Sequence, residues 1–183
     1  MRIGITDSGV GGLSVCAAVE ERLRDETRAQ DVEIFYLNAA LRDDYSYNAM
    51  PSRQQKLETF DRFLANVAAR YRPDMLYIAC NSLSVLFRDP YFDHRRHIPI
   101  AGIVETGTAA ILSALAADND AAVIVFATPT TVEEGTYRKN LIDAGIAPER
   151  IVQQACPGLP DAISNDFSGR QARVLLERFV PEA

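Results

Sequence analysis

The stretch Met75-Leu76-Tyr77-Ile78-Ala79-Cys80-Asn81-Ser82 is an apolar run that ends abruptly in a thiol and two small polar residues. Five apolar residues in succession, entered from Pro73-Asp74, fit a short strand covered on both faces. The polar residues after it fit the passage into a helix. A cysteine at such a junction sits where a helix N-terminus favours the thiolate, although a small buried core residue explains a lone cysteine as well.

The same alternation continues outward from this stretch. Immediately upstream, Leu57, Phe60, Leu64, Val67 and Tyr71 recur at helical spacing with Arg53, Glu58, Asp61 and Arg62 opposite them, so a helix is expected over about Ser52 to Tyr71. Pro51-Ser52 supplies its start and Pro73 its stop. Apolar runs at Ile3–Thr6, Val32–Leu37, Met75–Ala79, Ile98–Val104, Ala122–Ala127 and Ile151–Gln154 read as parallel strands buried on both faces. Strands alternating with helices indicate a doubly wound α/β fold, whose ligands lie beyond the carboxyl ends of the strands. Asp7-Ser8, Cys80-Asn81-Ser82, Glu105-Thr106 and Thr128 to Thr131 all follow strands directly and should gather at one edge. The charged break Tyr91 to His97 suggests a division near residue 97.

Composition narrows the function. With 183 residues, 48% of them apolar, the chain can bury a substantial core, and its formal charge of -6 argues against nucleic acid or an anionic membrane as a partner. No stretch approaches the roughly 20 apolar residues of a membrane span. The start, Met1 to Asp7, lacks the features of a secretory signal, so a cytoplasmic location is expected. Three widely spaced cysteines suit reduced thiols rather than a disulfide framework, and they form no pattern for a metal.

The turn Asp7-Ser8-Gly9-Val10-Gly11-Gly12 lets the backbone bend sharply and approach an anion, or simply pack a strand against a helix beginning near Leu13. It meets neither the Rossmann spacing nor the lysine-containing phosphate loop. Cys16, at the spacing of Leu13 and Val19, reads as an inward core residue, and Cys156, before Pro157-Gly158, as structural.

In order along the chain, Asp7-Ser8-Gly9-Val10-Gly11-Gly12-Leu13, Ala79-Cys80-Asn81-Ser82, Gly102-Ile103-Val104-Glu105 and Ala127-Thr128-Pro129-Thr130-Thr131-Val132 with Gly135 and Tyr137 resemble four motifs of the glutamate racemase group of the aspartate/glutamate racemase superfamily. That resemblance implies two doubly wound, flavodoxin-like lobes, residues 1–97 and 98–183, with the site in the cleft between them. It also implies cofactor-independent racemisation of an acidic amino acid, without pyridoxal phosphate, such as would supply D-glutamate for peptidoglycan. An α-proton is weakly acidic, so its exchange between faces needs a base on one side and an acid on the other. Thiols suit both tasks because thiol and thiolate are each accessible near neutral pH.

By the same resemblance Cys80 is one proton carrier, Asp7 assists it, and Glu105 tunes the opposite one. Ser8, Asn81, Ser82, Thr128 and Thr131 would hold the substrate's carboxylates and ammonium. Helix capping explains Asp7 and Glu105, and a capped turn explains Thr128 and Thr131, without any ligand.

Two departures from the family pattern stand out. Its second catalytic cysteine lies in a glycine-cysteine-threonine-histidine motif that this chain does not contain, and Arg170 to Val180 resembles the helix preceding it. The second lobe is therefore expected to be incomplete, exposing apolar surface compatible with a homodimer. In addition, Asp44-Tyr45-Ser46 stands where the family has proline-tyrosine-glycine, in the loop that holds the side-chain carboxylate. Tyr45 is expected to touch substrate there, with Asp43 and Asp44 repelling it and Arg42 compensating. Glutamate and aspartate both remain open, as do a single-cysteine decarboxylase or isomerase of dicarboxylates and an inactive protein that binds an acidic metabolite.

Overall fold

A computed structural model describes residues 1–24, 31–42, 45–92, 98–118, 120–166 and 168–180. Fourteen regular elements alternate along it: β1 (Arg2–Asp7), α1 (Gly12–Arg24), β2 (Glu33–Asn38), α2 (Arg53–Arg70), β3 (Met75–Ile78), α3 (Asn81–Leu86), β4 (Ile100–Gly102), α4 (Ile103–Leu115), β5 (Val123–Ala127), α5 (Pro129–Glu134), α6 (Thr136–Asp143), β6 (Ile151–Ala155), α7 (Leu159–Asn165) and α8 (Arg170–Phe179). All six expected strands form, and all pair in parallel.

The chain separates into two compact units, Met1–Ile103 and Val104–Ala183. In the first, the strands run in the order β2-β1-β3-β4. This is the flavodoxin-like order, which reverses direction between β1 and β3, and crevices for ligands open beyond the strand ends at such a reversal. The register sets Thr6 beside Ile78, so Asp7 and Cys80 emerge from neighbouring strands at the same edge.

The helix predicted over Ser52 to Tyr71 forms as α2, with the Ser52 side chain accepting a hydrogen bond from the Gln55 N–H at 3.2 Å. Leu57, Phe60, Leu64 and Val67 are buried, and they join Leu76, Ile78, Leu83, Leu86 and Phe92 in one apolar cluster. Tyr71, read as part of that face, closes the helix at its exposed C-cap instead.

Several expectations need correction. The strand expected over Ile98–Val104 is only three residues long, because Ile103 and Val104 already belong to α4. It hydrogen-bonds to β3 and so closes the first sheet, whereas the reading from sequence placed a boundary before it, near residue 97. Residues 93–97 of that charged break lie outside the described residues.

Burial on both faces fails for β5, whose Ile124 and Phe126 are 45% and 37% exposed; among the described residues its partner strand is β6 alone. Leu13, expected to point inward on α1, is 49% exposed, because Gly12 is the only residue of that helix to be buried. Among the described residues no helix is long and apolar enough to cross a membrane.

Candidate functional site

In the first unit, the edge between β1 and β3 brings together a carboxylate, a hydroxyl and a thiol. Asp7 ends β1, and its backbone carbonyl accepts the Ala39 N–H at 2.7 Å, which ties the strand end to the segment after β2. The Ala79 N–H donates to the Thr6 carbonyl at 2.8 Å and fixes the end of β3 alongside. Ser8 then turns toward β3, placing its Oγ 3.2 Å from Cys80 Sγ.

The Asp7 carboxylate folds back over its own turn. Its Oδ1 accepts the Gly9 N–H at 2.8 Å, an Asx-type turn that precedes the helix rather than a cap on it. Gly12 leaves room for this arrangement, because a Cβ there would stand 2.8 Å from Asp7 Cβ and 2.9 Å from the Tyr36 ring.

Cys80 is the N-cap residue of α3 but is only 8% exposed and forms part of the apolar cluster. This corrects the expectation that the helix N-terminus leaves it as a favoured thiolate. Burial pushes its pKa up, and the negative charge of Asp7 pushes in the same direction. The Ser8 hydroxyl and the peptide N–H groups of Leu83 and Ser8 pull the other way without overcoming them. The resting group is thus a thiol whose ionised form already has donors arranged around it.

The other two cysteines differ from it. Cys16 is part-buried, and burial alone raises its pKa. Cys156 is 1% exposed in the second unit, with its Sγ 3.6 Å from the Gln154 carbonyl, in keeping with a structural role.

Of the remaining residues expected at the site in this unit, Asn81 is exposed in the first turn of α3, while Ser82 is 3% exposed and faces the interior. Tyr45 packs partly buried against the apolar cluster, beneath the Arg42 guanidinium at 5.6 Å from the ring centroid. Arg42 and Tyr45 also bridge across the intervening pair. Asp43 and Asp44 lie outside the described residues, so the repulsion expected from them has no geometry to judge it by.

The second unit holds the other three. Thr128 caps α5, its Oγ1 accepting the Thr131 N–H at 3.3 Å and standing 3.1 Å from Thr131 Oγ1. Thr131 itself is fully buried. Glu105 is exposed in the first turn of α4, where a carboxylate also complements the helix dipole. Among the described residues no cluster of three or more His, Cys, Asp or Glu could hold a metal.

Reading the sequence missed Tyr36 and Tyr47. Tyr36, on β2, donates its hydroxyl to the Gly9 carbonyl at 2.5 Å. Tyr47 is 1% exposed, and its hydroxyl finds no hydrogen-bond partner among the described residues. The one available signal was an aromatic residue in the strand that pairs with β1, and that pairing is visible only in the fold.

Comparison with known proteins shows what the chain as a whole is similar to. The chain is 29% identical over 175 residues to the glutamate racemase of Lysinibacillus sphaericus, covering 95% of this chain and 60% of that one. It is 34% identical over 147 residues to that of Campylobacter jejuni, covering 79% and 53%. The structure of glutamate racemase from Aquifex pyrophilus superposes with a TM-score of 0.71 at 28% identity, over 100% of this chain and 66% of that chain. The chain therefore spans less than two thirds of the length of these relatives. The family model for Asp/Glu/Hydantoin racemase matches residues 3–181, and to that family this chain belongs.

Proposed function

We propose that this chain serves the cofactor-independent racemisation of an acidic amino acid, glutamate or aspartate, with Cys80 as a proton carrier at the α-carbon. The observation that carries the reading is the placement of Ser8 Oγ 3.2 Å from Cys80 Sγ, beside Asp7, at the reversal point of the first sheet. The names of the relatives point to the same chemistry.

In this reading Asp7 accepts the Cys80 proton as substrate enters, and the thiolate, held by Ser8 and by the N–H groups around it, removes the α-proton. The electron pair left on the α-carbon delocalises into the substrate carboxylate. Return of a proton to the opposite face inverts the centre, whereas return from Cys80 restores the starting enantiomer. Ser8, Asn81 and Tyr45 in the first unit and Thr128 in the second are the proposed contacts for carboxylates and ammonium, while Thr131, fully buried, holds Thr128 in place. Ser82, being buried, supports the turn from behind, and Glu105 is proposed to tune the second proton carrier. A supply of D-glutamate for cell-wall synthesis is the role this activity would fill.

The test is solvent deuterium exchange at the α-carbon of L- and D-glutamate and L- and D-aspartate. The parent chain is expected to exchange at least one enantiomer, and Cys80→Ser to slow this by about 100-fold or more. Exchange without inversion assigns a one-faced half-reaction to Cys80. No exchange on any of the four, with the fold intact, rejects the proposal in favour of a binding protein.

A further inference from the structure

We infer that Tyr36 is a positioning residue, a clamp that holds the Asp7–Gly12 turn against β2 and thereby fixes the Asp7 carboxylate and Ser8 relative to the Cys80 thiol. The inference deepens the proposed function, since it concerns the same site. Its own support is geometric.

The Gly9 peptide is held at both of its ends. Its N–H donates to Asp7 Oδ1 at 2.8 Å, and its carbonyl accepts the Tyr36 hydroxyl at 2.5 Å. The first of these bonds closes a turn around Ser8, so the Ser8 backbone, and with it the position from which its hydroxyl reaches Cys80, is held by the same turn. The Tyr36 ring acts at a second point of the turn, for Gly12 is wedged between Asp7 Cβ and Tyr36 Cε2, with no space for even a methyl group. Tyr36 itself is anchored by strand pairing, opposite Ile5 and two positions from Asp7 and Asn38.

The clamp is also built to stay closed across the working pH range. Burial pushes the Tyr36 hydroxyl above the ordinary phenol value, and the charges of Asp7, Cys16 and Cys80 add to the effect, so it remains a donor. Those three influences also place Tyr36 within electrostatic reach of both Asp7 and the thiol it is proposed to organise. No described group in contact with the hydroxyl supplies a compensating positive charge.

The experiment is the pH dependence of iodoacetamide alkylation at Cys80, read by mass spectrometry of the peptide that contains it, in the parent chain, Tyr36→Phe, Gly12→Ala and Asp7→Asn. Tyr36→Phe keeps the ring and its contact with Gly12 and removes only the hydrogen bond to Gly9. Its alkylation midpoint is expected to fall by about half a pH unit, because a released turn admits water to the thiol and lets Asp7 draw away, relieving the two influences that raise Cys80. Gly12→Ala pushes on the same turn from the other side and is expected to move the midpoint in the same direction. A merely structural loosening would raise the rate by one factor at every pH and leave the midpoint where it was. An unmoved midpoint in both variants, with Asp7→Asn lowering it, overturns the clamp and leaves the role of Cys80 standing. Absence of solvent exchange at substrate in the parent chain, with the Tyr36→Phe midpoint shifted, would instead sink the racemase reading and leave the clamp intact.

Discussion

The turns that carry Asp7 and Cys80 leave a four-stranded sheet backed by α2 and a continuous aromatic and aliphatic cluster. By contrast, the turn that carries Thr128 leaves a two-stranded sheet that exposes Ile124 and Phe126 on one face. The two turns are also held differently. Thr128 is held by bonds to a residue three positions away, whereas the turn after Asp7 is tied to Tyr36 through Gly9, 27 residues apart, and Cys80 to Ser8, 72 residues apart. Local bonds survive loosening of a core, and distant ones do not. The first unit should therefore lose its site geometry when its core is damaged, while the second should lose only the helix its threonines cap.

The largest expected effect follows from Phe60. It is fully buried, meets Tyr47 and Phe92 edge-on and stacks on Phe63. Phe60→Ala is expected to destabilise the first unit by about 3–5 kcal/mol, as truncation of a buried aromatic ring does. Phe126→Ala in the second unit, 37% exposed in the parent, should cost less than about 1 kcal/mol. Segment-resolved amide hydrogen exchange checks both. Comparable losses of protection in β1 and β5 would mean that the second unit's core is as deep as the first's.

Much of this architecture was legible from residue pattern alone. Ser52, the apolar stripe of α2 and Pro73 defined a helix to within a residue or so at each end because cap, periodicity and breaker are local properties. The six strands were legible because apolar runs of that length bury best as parallel strands. What escaped was the product of contacts between distant segments. Cys80 reads as a strand-end thiol, yet it is buried within an apolar cluster to which α2 and Tyr47 also contribute. Leu13 has the right spacing for a core position, but α1 lies so shallowly that only Gly12 is covered. Tyr36 reads as one more aromatic residue in a strand until β2 is known to pair with β1.

A smaller effect, confined to the first unit, comes from pH. Burial raises the Cys80 thiol above its ordinary value and does the same for the Tyr36 and Tyr47 hydroxyls. The folded chain keeps protons that the unfolded chain releases, near pH 8.5 for a thiol and near pH 10 for a phenol as approximate reference values. Their stabilisation is complete below those values and is lost as pH rises through the folded-state ones, because unfolding then releases protons. Urea unfolding midpoints are expected to fall in two stages, the first beginning above about pH 8.5. Cys80→Ala should weaken the first stage, to which Cys16 also contributes, and Tyr47→Phe the second, to which Tyr36 also contributes. A midpoint independent of pH up to 10.5 in the parent would show that neither group is as enclosed as its packing indicates.

The smallest effect tests the second unit. If Thr128 acts as a cap, Thr128→Ala removes one acceptor from the start of a six-residue helix and should cost about 1 kcal/mol, while Thr128→Ser should keep most of it. The loss of protection should be greatest within α5, because this bond spans three residues at the start of that helix. The same hydroxyl also stands 3.1 Å from Thr131 Oγ1, so a substrate at this residue would compete with bonds the turn already makes. Unchanged exchange in α5 after Thr128→Ala would remove the capping role.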